Sequence, residues 1–496
     1  MADPAGIEGD LLDSAAAGPA ALRGSVLRTA AYVLGILLSL VSAPLLVRHL
    51  GLPLFGRYVA VLSLLTIVAG FTEGGLNSIV LREFAILDAA RRREMIRSAV
   101  GIRIVLTTVG VALAVAFAAA AGYGSTLVIG TAVAGAGLLL QLVQSLLSTA
   151  LQAQLRFGWV SVAELIRQAV NVALLVGLIL AGARVLVLLS VAVPASAVSL
   201  VFTFALVRRQ VSLRPSFHIA RWWRLLRETI PFAVISAVNI VYFRVALVLM
   251  SIVASALQTG YFATSFRITE ILVGIPPLVI GAGFPILARA QRDDPERFDY
   301  AAGRMFELAL LAGVWLVLCL EVGAPFAIHV LAAHKADPAI AVLRIQGAAL
   351  VATFIAVACG FPLLTLRRYR AVLASNLLAL AISAALTLAL APSLGARGAA
   401  IAALGAESGL ALSQVVLLKR AAPGVPLSPL ALAVAALAGG LAVLAGIAAP
   451  VHPLIGIVIA SAVYFAALKL LRRFPPEVGE LLAGRLDWAA RYAGRG

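Results

Sequence analysis

Long apolar runs alternate with short polar gaps along this chain, and the cations follow the alternation. Of 39 Lys and Arg residues, 29 fall in every second gap, five in the intervening gaps and five inside the runs. Cytoplasmic loops of membrane proteins collect Lys and Arg, so the pattern is a topology in which the chain crosses a bilayer repeatedly. A segment in hydrocarbon must satisfy its own backbone hydrogen bonds, and with no strand-like alternation this leaves an all-α polytopic membrane protein. Hydrophobic residues at 62% and charged residues at 12% lie outside the range of soluble domains.

Runs of about twenty apolar residues lie near 29–47, 58–81, 99–120, 126–151, 161–181, 185–207 and 229–254. Seven more lie near 260–286, 305–331, 339–361, 371–391, 398–418, 429–449 and 453–468, making about 14 transmembrane helices. An even number puts both termini on one side, and the basic gaps make that side the cytoplasm. Asp3, Glu8, Asp10 and Asp13 precede any cation, the reverse of a signal-peptide start, so residues 1–26 are expected to form an uncleaved, disordered cytosolic tail. At the other end, Pro475 to Gly496 reads equally as an amphipathic helix on the inner leaflet or as a disordered tail.

Short matches recur at a period of roughly 200 residues. Leu180 to Arg184 reads LAGAR and Ser393 to Arg397 reads SLGAR, while Arg156-Phe157 and Arg368-Tyr369 precede them by nearly equal distances. Gly56 before Tyr58 and Gly260 before Tyr261 fit a similar offset. Chance similarity in an Ala/Leu/Gly-rich chain is the competing explanation. A repeat predicts an N-lobe of spans 1–6 over residues 27–207 and a C-lobe of spans 7–12 over 229–418, related by a pseudo-twofold along the membrane normal. A basic cytosolic linker at 208–228 joins them, spans 13 and 14 over 419–472 follow, and 473–496 forms the cytosolic tail.

Spans 2 and 8 share helix-weakening residues. Gly70, Gly74 and Gly75 surround Thr72 and Glu73 in the first, and Pro276, Pro277, Gly281, Gly283 and Pro285 interrupt the second. Breaks at matched positions of a repeat mark helices that bend around a central site, which makes Gly74, Gly75, Pro276, Pro277, Gly281 and Gly283 candidate hinges. Ordinary kinks are the alternative.

Ionisable residues inside spans point to sites, because a lipid-facing arginine costs at least ~3 kcal/mol and normally turns inward. Arg103, Glu164 and Arg167 lie near the cytoplasmic ends of spans 3 and 5, with Arg28 at the mouth of span 1. Arg244 and Arg267 fall roughly 15 and 10 Å from the outer ends of spans 7 and 8, at 1.5 Å per residue. Arg344, Glu270 and Glu321 share that outer half. Cations so placed suit an anionic substrate handed from an inner to an outer station. Arg267 and Glu270, three residues apart, equally suit an internal ion pair. Arg244, with no acid within four residues, is the stronger candidate for substrate contact. Glu73 and Glu407 are candidates for proton or cation coupling, or for bracing a helix.

Other functions find little support. The net charge of +17 is carried by arginines in short loops, which fits anionic lipid better than nucleic acid. GxxxxGK[ST], HExxH and GxSxG do not occur, and Asp337 is the only carboxylate in the outer gaps, so no enzyme is expected. His49, His329, His334 and His452 lie near the outer boundary and read as scattered interfacial polar groups, and Cys319 and Cys359 show no metal or disulfide spacing.

Four segments resemble the oligosaccharide-lipid and polysaccharide flippases (Wzx-type) of the multidrug/oligosaccharidyl-lipid/polysaccharide exporter superfamily. They are RHLGLPLFGRY at Arg48 to Tyr58, GGLNSIVLRE at Gly74 to Glu83, GYFATSFRITE at Gly260 to Glu270 and LGARGAAIAALGAE at Leu394 to Glu407. The resemblance implies two six-helix lobes in a V that alternate between inward and outward openings. The implied cargo is an undecaprenyl-diphosphate-linked oligosaccharide moved across the bacterial cytoplasmic membrane for cell-surface polysaccharide such as O-antigen, with polysaccharide polymerase and assembly proteins as partners. Spans 13 and 14 would help form a groove for the lipid tail. Arginine suits the diphosphate, because its planar donors bind phosphate oxygens in pairs. Many members carry an acid in span 7, and none is present between Thr229 and Ala254. That helix therefore offers no acid for coupling to protons or sodium, and the inside-negative membrane potential could itself drive an anion outward, by about 2.3 kcal/mol per charge per 100 mV. The alternatives are a drug/cation antiporter of the same architecture and a non-transporting scaffold for lipid-linked glycans.

The topology is testable by labelling. With Cys319 and Cys359 replaced by serine, a membrane-impermeant maleimide should label Lys335→Cys in intact cells and Arg420→Cys only after permeabilisation. The opposite pattern would invert the orientation.

Overall fold

A computed structural model describes residues 17–73, 75–209, 211, 214–217, 219–281, 283–449 and 451–473. The cytosolic tails expected at the two ends lie outside these residues, apart from their innermost parts. Among the described residues the secondary structure is helical throughout, with no strand. In chain order the helices are α1 (Ala17–Glu73), α2 (Leu76–Ile86), α3 (Ala89–Ala120), α4 (Ser125–Ala153), α5 (Phe157–Leu180) and α6 (Val185–Ser190). Next come α7 (Ala192–Val207), α8 (Ile219–Val253), α9 (Ala256–Val273), α10 (Ile275–Gly281), α11 (Phe284–Asp293) and α12 (Pro295–Ala332). The last five are α13 (Pro338–Thr365), α14 (Tyr369–Leu394), α15 (Ala396–Ala421), α16 (Pro429–Ala448) and α17 (Pro453–Leu470).

Thirteen helical stretches among the described residues are long and apolar enough to cross a membrane. Fourteen runs in the sequence become thirteen because the first two spans join in α1, which changes direction at Gly51, where φ is 70° and ψ 161°. Boundaries differ from the hydropathy reading for one reason. Hydropathy marks the hydrocarbon crossing, whereas a helix satisfies its own backbone and continues into water. So α12 starts at Pro295, and α8 starts at Ile219 inside the basic linker. Span 6 is divided at Val191, and span 8 becomes α9, α10 and α11.

Water-side ends are closed by side chains. Asp88 caps α3 by accepting from the amides of Ala90 and Arg91, and the Arg91 amide chiefly holds its carboxyl below the usual range. Asp294 caps α12 through the Arg297 amide. Large aliphatic side chains point outward along the helices: Leu113, Val201, Leu412, Leu444 and Val458 are each 67% exposed. In a soluble protein these would be a liability, and here they are the lipid-facing surface.

The chain forms two compact units, Met1–Thr264 and Ser265–Gly496. In the first, α1 packs on α5, α8 and α3, and α4 packs on α3 and α7. Its core includes Phe84, Ile96, Val100, Leu147 and Leu151. Bare glycine faces let helices approach: the Cβ missing from Gly70 would lie 2.8 Å from Ile240 of α8, and that from Gly110 would lie 2.5 Å from Val68 of α1. In the second unit α13 lies between α12 and α15, and α16 and α17 pair with each other and with α12. That pairing uses small residues, with Ala435, Ala438, Ala442 and Ala460 fully buried, and the Tyr464 hydroxyl donates to the Leu311 carbonyl at 2.9 Å.

The sequence repeat has a backbone counterpart. Leu155 (φ 57°) and Arg367 (φ 56°) both take the left-handed conformation rare for side-chain-bearing residues. Each is followed by an arginine of matching geometry, Arg156 at φ −83°, ψ 47° and Arg368 at φ −83°, ψ 46°. The amides of Arg156 and Arg368 reach back to the carbonyls of Leu151 and Leu363 at 2.9 Å each, closing both helices in the same way. The same ending closes α17, where Arg472 has φ 55° and the Arg473 amide reaches the Leu468 carbonyl at 2.9 Å, so this turn is a general helix ending of the chain and does not decide between repeat and chance.

Gly56 and Gly260, the other repeat-related pair, touch one another within the first unit. A Cβ on Gly56 would lie 2.6 Å from the Gly260 amide nitrogen, and one on Gly260 would lie 2.2 Å from the Leu52 carbonyl oxygen. Gly260→Val should therefore lower stability by about 1–3 kcal/mol through overpacking. Gly177 in α5 has nothing within 4 Å of a Cβ, so Gly177→Ala should be neutral or raise the melting temperature in detergent. Equal effects of the two substitutions would contradict this packing.

Candidate functional site

α1 stops at Glu73, and Gly75 adopts φ 80° and ψ −7° before α2 begins. Gly74 lies outside the described residues. A break inside a membrane-crossing helix strands carbonyl groups that have no water to turn to. Arg103 answers that need from α3. Its side chain is fully buried, Nη1 donates to the Thr72 carbonyl at 2.7 Å and Nη2 donates to Oδ1 of Asn77 at 2.7 Å. Asn77 in turn donates to Glu73 Oε1 at 3.1 Å and to the Ser145 hydroxyl at 2.8 Å. Ser145 reaches Glu73 Oε1 at 3.4 Å, and the Glu73 carboxylate supplies charge opposite the guanidinium. The Arg103 Nε has no hydrogen-bond partner among the described residues. The network ties α1, α2, α3 and α4 together at the break.

Span 8 is interrupted where the glycines and prolines stand. Gly274 separates α9 from α10, Pro276 and Pro277 open α10, Gly281 closes it against Phe361, and Gly283 precedes α11. Buried Pro276 has no amide hydrogen to strand, which makes the break tolerable.

The other ionisable residues of the sequence reading contact neighbouring side chains. Arg167 grips Glu164 of the same helix with two donors, Nε at 3.0 Å from Oε2 and Nη2 on Oε1. Arg267 and Glu270 meet on one face of α9, Nη1 to Oε2 at 2.9 Å. Arg344 Nε donates to the Glu321 carbonyl at 3.1 Å and stands 3.6 Å from its carboxylate, joining α12 to α13. Glu407 of α15 accepts from the Thr353 hydroxyl of α13 at 2.9 Å. Arg244 lies against the Phe243 ring, with its guanidinium carbon 5.5 Å from the centroid. Arg28 belongs to α1, and its side chain lies outside the described ones.

Two features are missing from the sequence reading. Asn77 and Ser145 complete the Arg103 network; the amide in the run GGLN was a usable signal, because a buried amide in a span needs partners as a charge does, whereas Ser145 gave none. The second concerns the histidines. His329 and His334 are not scattered interfacial groups: they converge on Asp337 in the turn between α12 and α13, with all three potential ligand atoms within 4.8 Å of one another. One helical turn plus a tight reversal brings together residues whose spacing in sequence looks irregular.

An apolar groove runs along the second unit. A cavity of about 440 Å³ is lined by α12, α13, α15 and α16 through Phe306, Val351, Ile355, Ala411, Leu412 and Leu432. A neighbouring cavity of about 260 Å³ shares Val351 and Leu432 and continues along α16 past Gly439, Gly440 and Val443. Leu412 and Leu432 are exposed, so the groove opens to the lipid-facing surface.

Removing one member of the Arg103 network should destabilise by about 3–5 kcal/mol, the scale for an uncompensated buried charge. Arg103→Met and Glu73→Gln combined should lose less than the sum of the single losses in a thermal-melt cycle. Additive losses would show that the two residues do not act together.

No curated protein matches the chain. Among solved structures it is similar to the lipid II flippase MurJ in an inward closed conformation, at 13% identity over 90% of this chain and 99% of that one, with a TM-score of 0.74. It is also similar to an inward-facing multidrug resistance MATE transporter of the MOP superfamily, at 15% identity over 80% and 98% of the two chains, with a TM-score of 0.63. A MOP superfamily transporter from Pyrococcus furiosus Vc1 (DSM3638), whose pocket has reversed polarity, is 15% identical over 82% and 96%, with a TM-score of 0.53. These likenesses give the fold, a multi-pass helical architecture of the kind seen in those three proteins. The polysaccharide biosynthesis protein family matches residues 21–291, more than half of the chain, and to that family this membrane protein belongs.

Proposed function

We propose that the chain flips a polyprenyl-diphosphate-linked oligosaccharide outward across the bacterial cytoplasmic membrane, for assembly of a cell-surface polysaccharide of the O-antigen kind. The observation that carries this reading is the apolar groove of the second unit. Its wall is partly α16, a helix outside the two six-helix copies, and its mouth faces lipid. A long prenyl tail fits there at about 0.8 kcal/mol per CH₂ removed from water, although exchange with membrane lipid makes the net gain far smaller.

The diphosphate is assigned to arginines. Arg244, Arg267 and Arg344 are partly accessible, and Arg267 and Arg344 are each paired with a carboxylate, Glu270 and Glu321 respectively. A diphosphate competing with Glu270 or Glu321 would exchange one anion for another, so binding and release stay balanced. Arg103 and Arg167 take different roles: the first is committed to the helix break, the second to Glu164. The hinge residues would let spans 2 and 8 bend during the alternation. Glu407, with Thr353, is the acid best placed for coupling to protons or sodium; the membrane potential drives an anion outward by about 2.3 kcal/mol per charge per 100 mV without it.

The MATE likeness favours a second reading, drug/cation antiport. The arginines assigned to the diphosphate would repel such cations, which makes it the weaker one.

The test is translocation of a short polyprenyl-diphosphate oligosaccharide in proteoliposomes at matched folding. Arg244→Ala and Arg267→Ala should each reduce the rate about tenfold, equivalent to about 1.4 kcal/mol, and Ala352→Phe in the groove should reduce it independently of the arginines. Full activity in all three variants would overturn the assignment, and export of an organic cation by the wild type would favour antiport.

A further inference from the structure

We infer that the turn joining α12 to α13 is a binding site for a divalent transition metal of the zinc class, built from His329, His334 and Asp337. The site is independent of the transport reading.

Its backbone is fixed. α12 ends at Ala333, a residue with a side chain held at φ 54° and ψ −169°, whose amide bonds the His329 carbonyl at 3.0 Å. A single 3-10 turn, His334–Ala336, follows, and Pro338 opens α13. Alanines in and beside the turn anchor it: Ala332 is 7% exposed, and Ala336 and Ala339 are 0% exposed. The ligands project outward from this anchored turn, so they can adjust by side-chain rotation alone.

The ligand atoms are already close. His329 Nε2 lies 2.7 Å from Asp337 Oδ1, His334 Nδ1 lies 3.9 Å from the same oxygen, and the imidazole centroids are 4.2 Å apart. Zinc bonds of about 2.0–2.2 Å in a tetrahedron put neighbouring ligand atoms about 3.4 Å apart. The two measured separations straddle that value. Two neutral imidazoles and one carboxylate form a donor set that zinc accepts, with the remaining position open to water.

A second observation concerns the aspartate. Asp337 occupies the N-cap of α13, where an aspartate ordinarily accepts from the first free amides, yet its side chain makes no capping bond. It turns to the histidines instead. The remaining described histidines behave otherwise: His49 pairs with the Ala183 carbonyl, and His452 accepts from the Leu454 amide and stands edge-on to Phe326. A bound ion would clip together the same two helices that Arg344 and Glu321 join.

The experiment uses full-length, tag-free protein in detergent, stripped with chelator and titrated with Zn²⁺ by calorimetry and with Co²⁺ by visible absorption. The wild type should bind one saturating equivalent and give the absorption of low-coordinate cobalt with nitrogen and oxygen ligands. His334→Ala and Asp337→Asn, both at exposed positions, should each weaken binding at least ~10-fold, while His452→Ala should bind as the wild type does. Absence of a saturable equivalent in folded wild type would overturn the site. So would equal affinity in the wild type and both ligand variants.

Discussion

Hydrocarbon offers no partner to a backbone polar group, and the rest of this structure depends on that constraint. It enforces helices throughout, and it makes every interruption of a helix an event that other residues must resolve. At Gly51 the chain changes direction between two apolar runs. At Glu73 it breaks inside a span, and an arginine from another helix supplies the missing donor. A fully buried guanidinium would be prohibitive alone. It is tolerable here because a carbonyl, an amide and a nearby carboxylate share its charge and its protons.

The same logic explains why helix–helix contacts rely on absent side chains. In lipid there is no hydrophobic gain in joining two apolar helices, so close packing and a few polar bonds do the joining. Glycines at Gly56, Gly70, Gly110 and Gly260 in the first unit, and alanines along α16 in the second, provide that closeness. Large aliphatic residues are left for the lipid.

Much of the fold was legible in sequence because charge and hydropathy respond directly to the bilayer. The apolar runs reappear as long helices, and the helix breaks at Gly75 and between Pro276 and Gly283 fall where the glycines and prolines stand. Helix ends were less legible, since a helix such as α12 does not stop where its apolar run does. The candidate site was legible only as an inventory of charged residues. Arg103 stood out as a buried cation, but its attachment to Thr72 and Asn77 depends on how three helices meet, which no local pattern records. Likewise His329, His334 and Asp337 looked unrelated, because the left-handed residue that folds them together is an alanine, a type that gives no turn signal.

In the proposed function a prenyl-linked anion is carried with its tail in the groove of the second unit. The most direct measurement is photocrosslinking with a polyprenyl-diphosphate glycan bearing a photoreactive group on the prenyl chain, followed by peptide mapping. Labels are expected on α13, α15 and α16 around Val351, Ala411 and Leu432, competed by unlabelled polyprenyl-diphosphate glycan and not by bulk phospholipid. Labels distributed over the whole lipid-facing surface, or displaced equally by phospholipid, would contradict it.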